Sequence, residues 1–219
     1  MSNRLAGKVC IITGTGGSMG REAALAFARE GALVVGCGLY ADDAQATVDA
    51  VRTAGGTMVS LHPCDLTRPA DCGALVDLAV RTFGRLDVLF NNAAMAYFNW
   101  IEDISDDEWD RNRREEVDLV FYLARAAWPH LKASRGVIVN TASLNALMSF
   151  KNLGSLGVIE TNQTREQLKN PEWAGYMLGK TSVDLDGPRK WRTSLFLASD
   201  DSSYVTGVDI VVDGGMKVW

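Results

Sequence analysis

The stretch Val9-Cys10-Ile11-Ile12-Thr13-Gly14-Thr15-Gly16-Gly17-Ser18-Met19-Gly20 passes from an apolar, β-branched run into a cluster of glycines. Directly after it, from Arg21 to Glu30, Ala24, Phe27 and Ala28 recur at three- and four-residue spacing. The run predicts a strand over Val9 to Thr13 and the spacing predicts a helix, so the glycines form the turn between them. Outward from this unit the alternation repeats. Further strands are predicted at Leu33 to Cys37, Thr57 to Pro63, Leu86 to Phe90, Val137 to Thr141 and Val208 to Val212, and further helices at Ala41 to Ala54, Pro69 to Thr82 and Asp107 to Lys132. That order is an α/β, Rossmann-like doubly wound parallel sheet with helices on both faces. With 219 residues, 47% of them hydrophobic, the chain supports one core, so a single domain spanning 1–219 is expected.

Charge narrows the partners. A net charge of −5, with acids and bases mixed along the chain, leaves no basic face for a phosphate backbone, so nucleic acid is not expected. No apolar run reaches the roughly 18 residues that a membrane span needs, and the polar start of the chain has no export signal, so a cytoplasmic protein is expected. Cys10, Cys37, Cys64 and Cys72 show no C-x-x-C pairing, and reduced, packed thiols are the expectation. His62 and His130 are isolated from each other, which argues against a metal site.

The glycine turn carries the first chemical reading. A bare backbone can approach a pyrophosphate closely, and the amino end of the following helix offers free N–H donors and a partial positive charge. An ordinary strand-to-helix turn is the alternative, and the flanking strand and helix weigh against it.

From here the chain resembles the short-chain dehydrogenase/reductase family, whose glycine motif is TGxxxGxG. Thr13, Gly14 and Gly20 match that motif, Ser18 stands at its middle glycine, and Gly16 and Met19 fall within it. Asp65 and Leu66, in Cys64-Asp65-Leu66-Thr67, fall where the family contacts adenine. Asn91-Asn92-Ala93-Ala94 resembles the NNAG segment, with Asn92, Ala93 and Ala94 flooring the cofactor site. Leu195-Phe196-Leu197-Ala198-Ser199-Asp200, Tyr204-Val205-Thr206-Gly207 and Val212-Asp213-Gly214-Gly215 resemble the family's last helix and strand.

The resemblance implies hydride transfer between a nicotinamide and an alcohol or carbonyl substrate, by a homo-oligomer, dimer or tetramer. The second strand ends in Gly38 where the family's NAD enzymes have an aspartate, and no cation stands at Gly17 or Leu39, where its NADP enzymes have one. NAD is the expected cofactor and NADP stays open. Ser143 falls on the family's catalytic serine, and Glu116 on an asparagine that organises a proton-relay water.

Two registers are open for the tyrosine and lysine. In the first, Tyr176 and Lys180 are the catalytic pair, on one face of a helix, although Tyr176 lies 33 positions after Ser143 where the family has about a dozen. In the second, Gly157-Val158-Ile159-Glu160-Thr161 resembles the family's PG-x-I-x-T segment, so Ile159 meets the carboxamide and Thr161 approaches the pyrophosphate. Tyr176 and Lys180 then belong to a lid over the substrate, and the family's tyrosine, lysine, next helix and sixth strand, about 40 residues, are missing. The second register is favoured. It leaves an incomplete sheet, with Val208 to Val212 pairing directly beside the fifth strand or not at all. Apolar residues on bordering segments, among them Tyr97, Trp100, Met148 and Phe150, suit an apolar substrate. Gly187 to Ser194 has no apolar face where the family begins a helix, as if read one base out of frame; the gene sequence tests that reading.

Overall fold

The structure, a computed structural model, describes residues 3–95, 97, 103–143 and 191–212. Its strands are β1 (Val9–Ile12), β2 (Leu33–Cys37), β3 (Thr57–Leu61), β4 (Val88–Asn91) and β5 (Val137–Asn140). Its helices are α1 (Ser18–Arg29), α2 (Ala41–Thr53), α3 (Pro69–Phe83), α4 (Asp106–Arg113), α5 (Leu119–Ser134) and α6 (Trp191–Ala198). A π-turn, Arg114–Asp118, joins α4 to α5, and a short 3-10 turn, Asp200–Ser202, follows α6.

The five strands run parallel in the order β3-β2-β1-β4-β5. In β1, Ile11 lies opposite Val35 of β2 and Leu89 of β4. Successive β1 side chains enter different cores. Cys10 and Ile12 pack with Ala23, Ala24 and Phe27 of α1 and Val48 and Val51 of α2, whereas Val9 and Ile11 pack with Leu75 and Ala79 of α3 and Leu123 and Ala127 of α5. Burial on both faces is why this strand reads as a continuous apolar run instead of an alternating one. The reversal of strand order beside β1 opens a crevice at the carboxyl ends of β1 and β4, where α/β proteins bind ligands.

Local signals account for the helix ends. Pro69 opens α3 and Gly84, at φ +79°, closes it in a left-handed conformation that favours glycine. Ser105 and Glu108 form a reciprocal capping box on α4. The single helix expected over Asp107 to Lys132 is instead α4 and α5 around the π-turn.

The strand expected at Val208 to Val212 does not form. Val208, Ile210, Val211 and Val212 are 55, 43, 40 and 43% exposed. Among the described residues β5 pairs with β4 alone, and an extended segment with no neighbouring ladder has nothing to satisfy its backbone groups. The helix at the end of the chain starts earlier than Leu195. Its first turn falls inside the stretch expected to lack an apolar face, yet Leu195 and Ala198 are buried against α1 and β5.

Candidate active site

Thr13, the residue after β1, is wholly buried and organises the crevice. Its Oγ1 accepts from the backbone N–H groups of Asn92, at 2.9 Å, and Ala93, at 2.8 Å. The Asn92 Nδ2 donates back to the Thr13 carbonyl at 3.0 Å. The glycine turn and the end of β4 are therefore one rigid unit. Gly14, at φ +70°, sits where a Cβ would meet the Ala93 Cα at 3.1 Å. At Gly20 a Cβ would lie 2.2 Å from the Gly14 carbonyl oxygen, so only glycine lets the first turn of α1 pack on the loop.

Thr15 ties the other side. Its N–H donates to the Cys37 carbonyl at 2.9 Å, and its own carbonyl accepts from Thr47 Oγ1 of α2 at 2.7 Å. The amino end of α1 carries Gly17 at its N-cap with no side-chain cap; the Gly17 N–H donates to the Gly14 carbonyl at 3.1 Å and its carbonyl accepts from the Arg21 N–H at 2.9 Å. Ser18 begins the first turn of α1, and Met19 packs partly buried against the α1–α2 core.

Beyond β3, one oxygen of Asp65 accepts from the Thr67 N–H at 3.0 Å and from Thr67 Oγ1 at 2.7 Å, which folds the segment into a tight turn. Leu66 is buried beneath it, and Ala94 is exposed at the end of the β4 segment. Asn91 Nδ2 donates to Asn140 Oδ1 at 2.8 Å, joining the ends of β4 and β5. Among the described residues the buried Oδ1 atoms of Asn91 and Asn92 have no hydrogen-bond partner. Orphaned acceptors at the mouth of a crevice are suited to a donor brought by a ligand or water.

Ser143 is half-buried three residues after β5. Glu116 lies in the π-turn, a local helix widening common at functional sites. It stands three residues before Leu119, where the buried stripe of Leu119, Leu123, Ala127 and Leu131 begins. Because α5 leads back into a strand parallel to β4, its start, and Glu116 with it, lies toward the strands' carboxyl ends. Although Glu116 is exposed as a residue, partial desolvation by its neighbours pushes its carboxyl above the usual carboxylate range, and the Glu115 carboxylate adds to this. Tyr97 is held by reciprocal bonds with Asn112, by an OH bond to Glu115 at 2.8 Å and by the Arg111 guanidinium 4.2 Å from its ring centroid.

The structure thus brings Gly14, Gly16, Ser18, Met19, Gly20, Asp65, Leu66, Asn92, Ala93 and Ala94 to the carboxyl ends of the strands, with Ser143 and Glu116 on the same side. Ile159, Thr161, Tyr176 and Lys180 lie outside the described residues, as do Trp100, Met148 and Phe150. The stapling role of Thr15 and Thr47 has no signal in the sequence, because the two residues are far apart in the chain. All four cysteines are buried and free. Among the described residues no three His, Cys, Asp or Glu side chains converge on a metal position, and no helix is long and apolar enough to cross a membrane.

A parallel sheet with this crevice defines a Rossmann-type α/β protein. The comparisons give its family: a profile described as short chain dehydrogenase matches residues 8–155. The chain belongs to the short-chain dehydrogenase family. It is 33% identical to trans-4-hydroxycyclohexanecarboxylate dehydrogenase of Sinomonas cyclohexanicum, over 98% of this chain and 95% of that protein. It is 32% identical to the cyclohexanol dehydrogenase of an Acinetobacter strain, over 98% and 96%. The solved structure of a 7α-hydroxysteroid dehydrogenase complexed with NADH and 7-oxoglycochenodeoxycholic acid superposes with a TM-score of 0.90 at 28% identity, over 98% of this chain and 96% of that one. The first of these alignments runs over 247 positions against 219 residues here, so that relative carries at least 28 residues with no counterpart in this chain.

Proposed function

We propose that the chain binds NAD(H) across the carboxyl ends of β1, β2 and β4 and interconverts an apolar secondary alcohol and its ketone. The observation that carries this reading is the cradle at Gly14 and Gly20, where a Cβ would strike backbone, combined with an α1 amino end that has no side-chain cap. Gly14, Gly16, Ser18, Met19 and Gly20 would hold the pyrophosphate, Asp65 and Leu66 the adenine, and Asn92, Ala93 and Ala94 the floor. The buried, unpartnered Asn92 Oδ1 supports a bound donor there. When bound, the nicotinamide supplies or takes the hydride.

The chain's own part is to place the substrate and move the proton. Ser143 donates to the substrate oxygen, and Glu116 holds the water through which a proton reaches solvent. Ile159 and Thr161 complete the nicotinamide end in the favoured register; in the other, Tyr176 gives or takes the proton and Lys180 beside it favours the tyrosinate. The relatives' names refer to cyclohexanol, a hydroxycyclohexanecarboxylate and a hydroxysteroid, which supports an alicyclic alcohol as substrate. A cytoplasmic homo-oligomer belongs to the same reading, and exposed Val117 of the π-turn with exposed Phe121 and Trp128 of α5 supports self-association.

Steady NADH oxidation with cyclohexanone or a ketosteroid, lost in Ser143→Ala, is the expected result; folded protein that binds NADH and turns over no cyclic ketone refutes the catalytic part. A second reading, dinucleotide binding without turnover, is favoured by the residues that the relative has and this chain lacks. Tyr176→Phe separates the registers: unchanged turnover removes Tyr176 from the mechanism.

A further inference from the structure

Gly38 directly follows β2 beside the glycine loop and has no side chain to offer a ribose. A Cβ there would meet the Ala44 Cβ at 3.2 Å and the Gly16 N–H nitrogen at 3.7 Å. The same Gly16 is approached from α2: a Cβ on Gly16 would lie 3.1 Å from the Asp43 Cβ. Gly38 and Asp43 therefore flank one point of the loop, although they come from different elements. Thr47 holds this arrangement, because its Oγ1 donates to the Thr15 carbonyl at 2.7 Å and to the Asp43 carbonyl at 3.3 Å, fastening the first turn of α2 to the loop.

A cavity of 520 Å³ opens here, lined by Leu39, Tyr40, Ala41, Asp42, Asp43 and Pro63. Its size falls within the roughly 300–1,000 Å³ of small-molecule sites. Among the described residues its lining contains two carboxylates and no cation. Tyr40 and Leu39, 71 and 55% exposed, offer apolar surface beside them.

We propose that Asp43, from the first turn of α2, supplies the carboxylate that selects an unphosphorylated adenosine ribose in place of a side chain at Gly38. This rests on the dinucleotide reading above and deepens it. Ribose 2′- and 3′-hydroxyls donate to a carboxylate, whereas a 2′-phosphate dianion meets two acidic groups with no compensating charge. Asp42 adds to the repulsion.

The test is a fluorescence titration of the full chain with NADH and NADPH, for the wild type, Asp43→Asn and Asp42→Asn. NADH is expected to bind about tenfold more tightly than NADPH, the part of a close like-charge contact that survives solvent screening. Asp43→Asn is expected to remove most of that ratio, by weakening NADH and strengthening NADPH together, with the urea midpoint unchanged. An unchanged ratio in a folded Asp43→Asn that still binds both dinucleotides overturns the assignment, as does a ratio that moves only in Asp42→Asn. Binding of neither dinucleotide by the folded wild type overturns the underlying reading instead.

Discussion

Replacing Gly20 by alanine tests the cradle most directly. The added methyl would sit 2.2 Å from the Gly14 carbonyl oxygen, 2.7 Å from its carbon and 2.9 Å from the Thr15 Cα. All three are backbone atoms, so no side chain can swing away. To recover ordinary contact, α1 and the loop must separate by roughly 1 Å. Thr13 and Thr15 resist this, because they fasten the loop to Asn92, Ala93 and Cys37. Overpacking of this kind costs about 1–3 kcal/mol. The same displacement carries the α1 amides out of hydrogen-bond range of a phosphate, so NADH affinity should fall by at least about tenfold, or 1.4 kcal/mol. Urea unfolding followed by circular dichroism reads the first effect, and NADH fluorescence titration reads the second. Gly73 is the control: it lies inside α3 with nothing within 4 Å of an added Cβ. Gly73→Ala should therefore stabilise by about 0.5–1 kcal/mol and leave NADH binding unchanged. A Gly20→Ala protein that unfolds at the wild-type urea concentration and binds NADH as well as wild type would refute the reasoning.

Thr13→Val preserves shape but leaves the Asn92 and Ala93 N–H groups without their acceptor; a loss of about 1–3 kcal/mol is expected in urea unfolding, and a wild-type midpoint would deny the clamp its role. The buried thiols should resist modification: burial pushes Cys10 well above the usual thiol range, and burial with nearby Cys64 and two aspartates raises Cys72 to about 12. Native protein should react slowly with a thiol reagent at pH 8 and all four cysteines should react in urea, so rapid labelling of folded protein would contradict this burial. Glu116 has a raised folded pKa, so the folded state holds its proton over a range where the unfolded state has released it, and stability falls as pH rises through that range. Glu116→Gln should then match wild type at low pH and exceed it above the raised value. An advantage confined to acid pH would reverse the sign and exclude the desolvation account.

What is legible in the sequence divides by distance along the chain. The alternation of apolar runs and helical spacing made the parallel sheet readable, because burial on both faces leaves continuous apolar strands. The glycine turn was equally readable, since strand, turn and helix are contiguous. Asn92 was readable only as part of a motif; its bonds to Thr13 join residues 79 positions apart. At Val208 to Val212 the local pattern was sound and the outcome differed, because a strand exists only if a neighbour completes its ladder.

By itself the sequence determined the first five strands and the helices between the first four of them, the turn at Thr13 to Gly20 and the family, all of which depend on local spacing. Only the tertiary structure decided which groups share the crevice. The meeting of Gly38, Gly16 and Asp43 around one point of the loop, the π-turn that carries Glu116 and the absence of a strand at Val208 to Val212 among the described residues all depend on how separate elements pack, and packing is settled by contacts that no local pattern records.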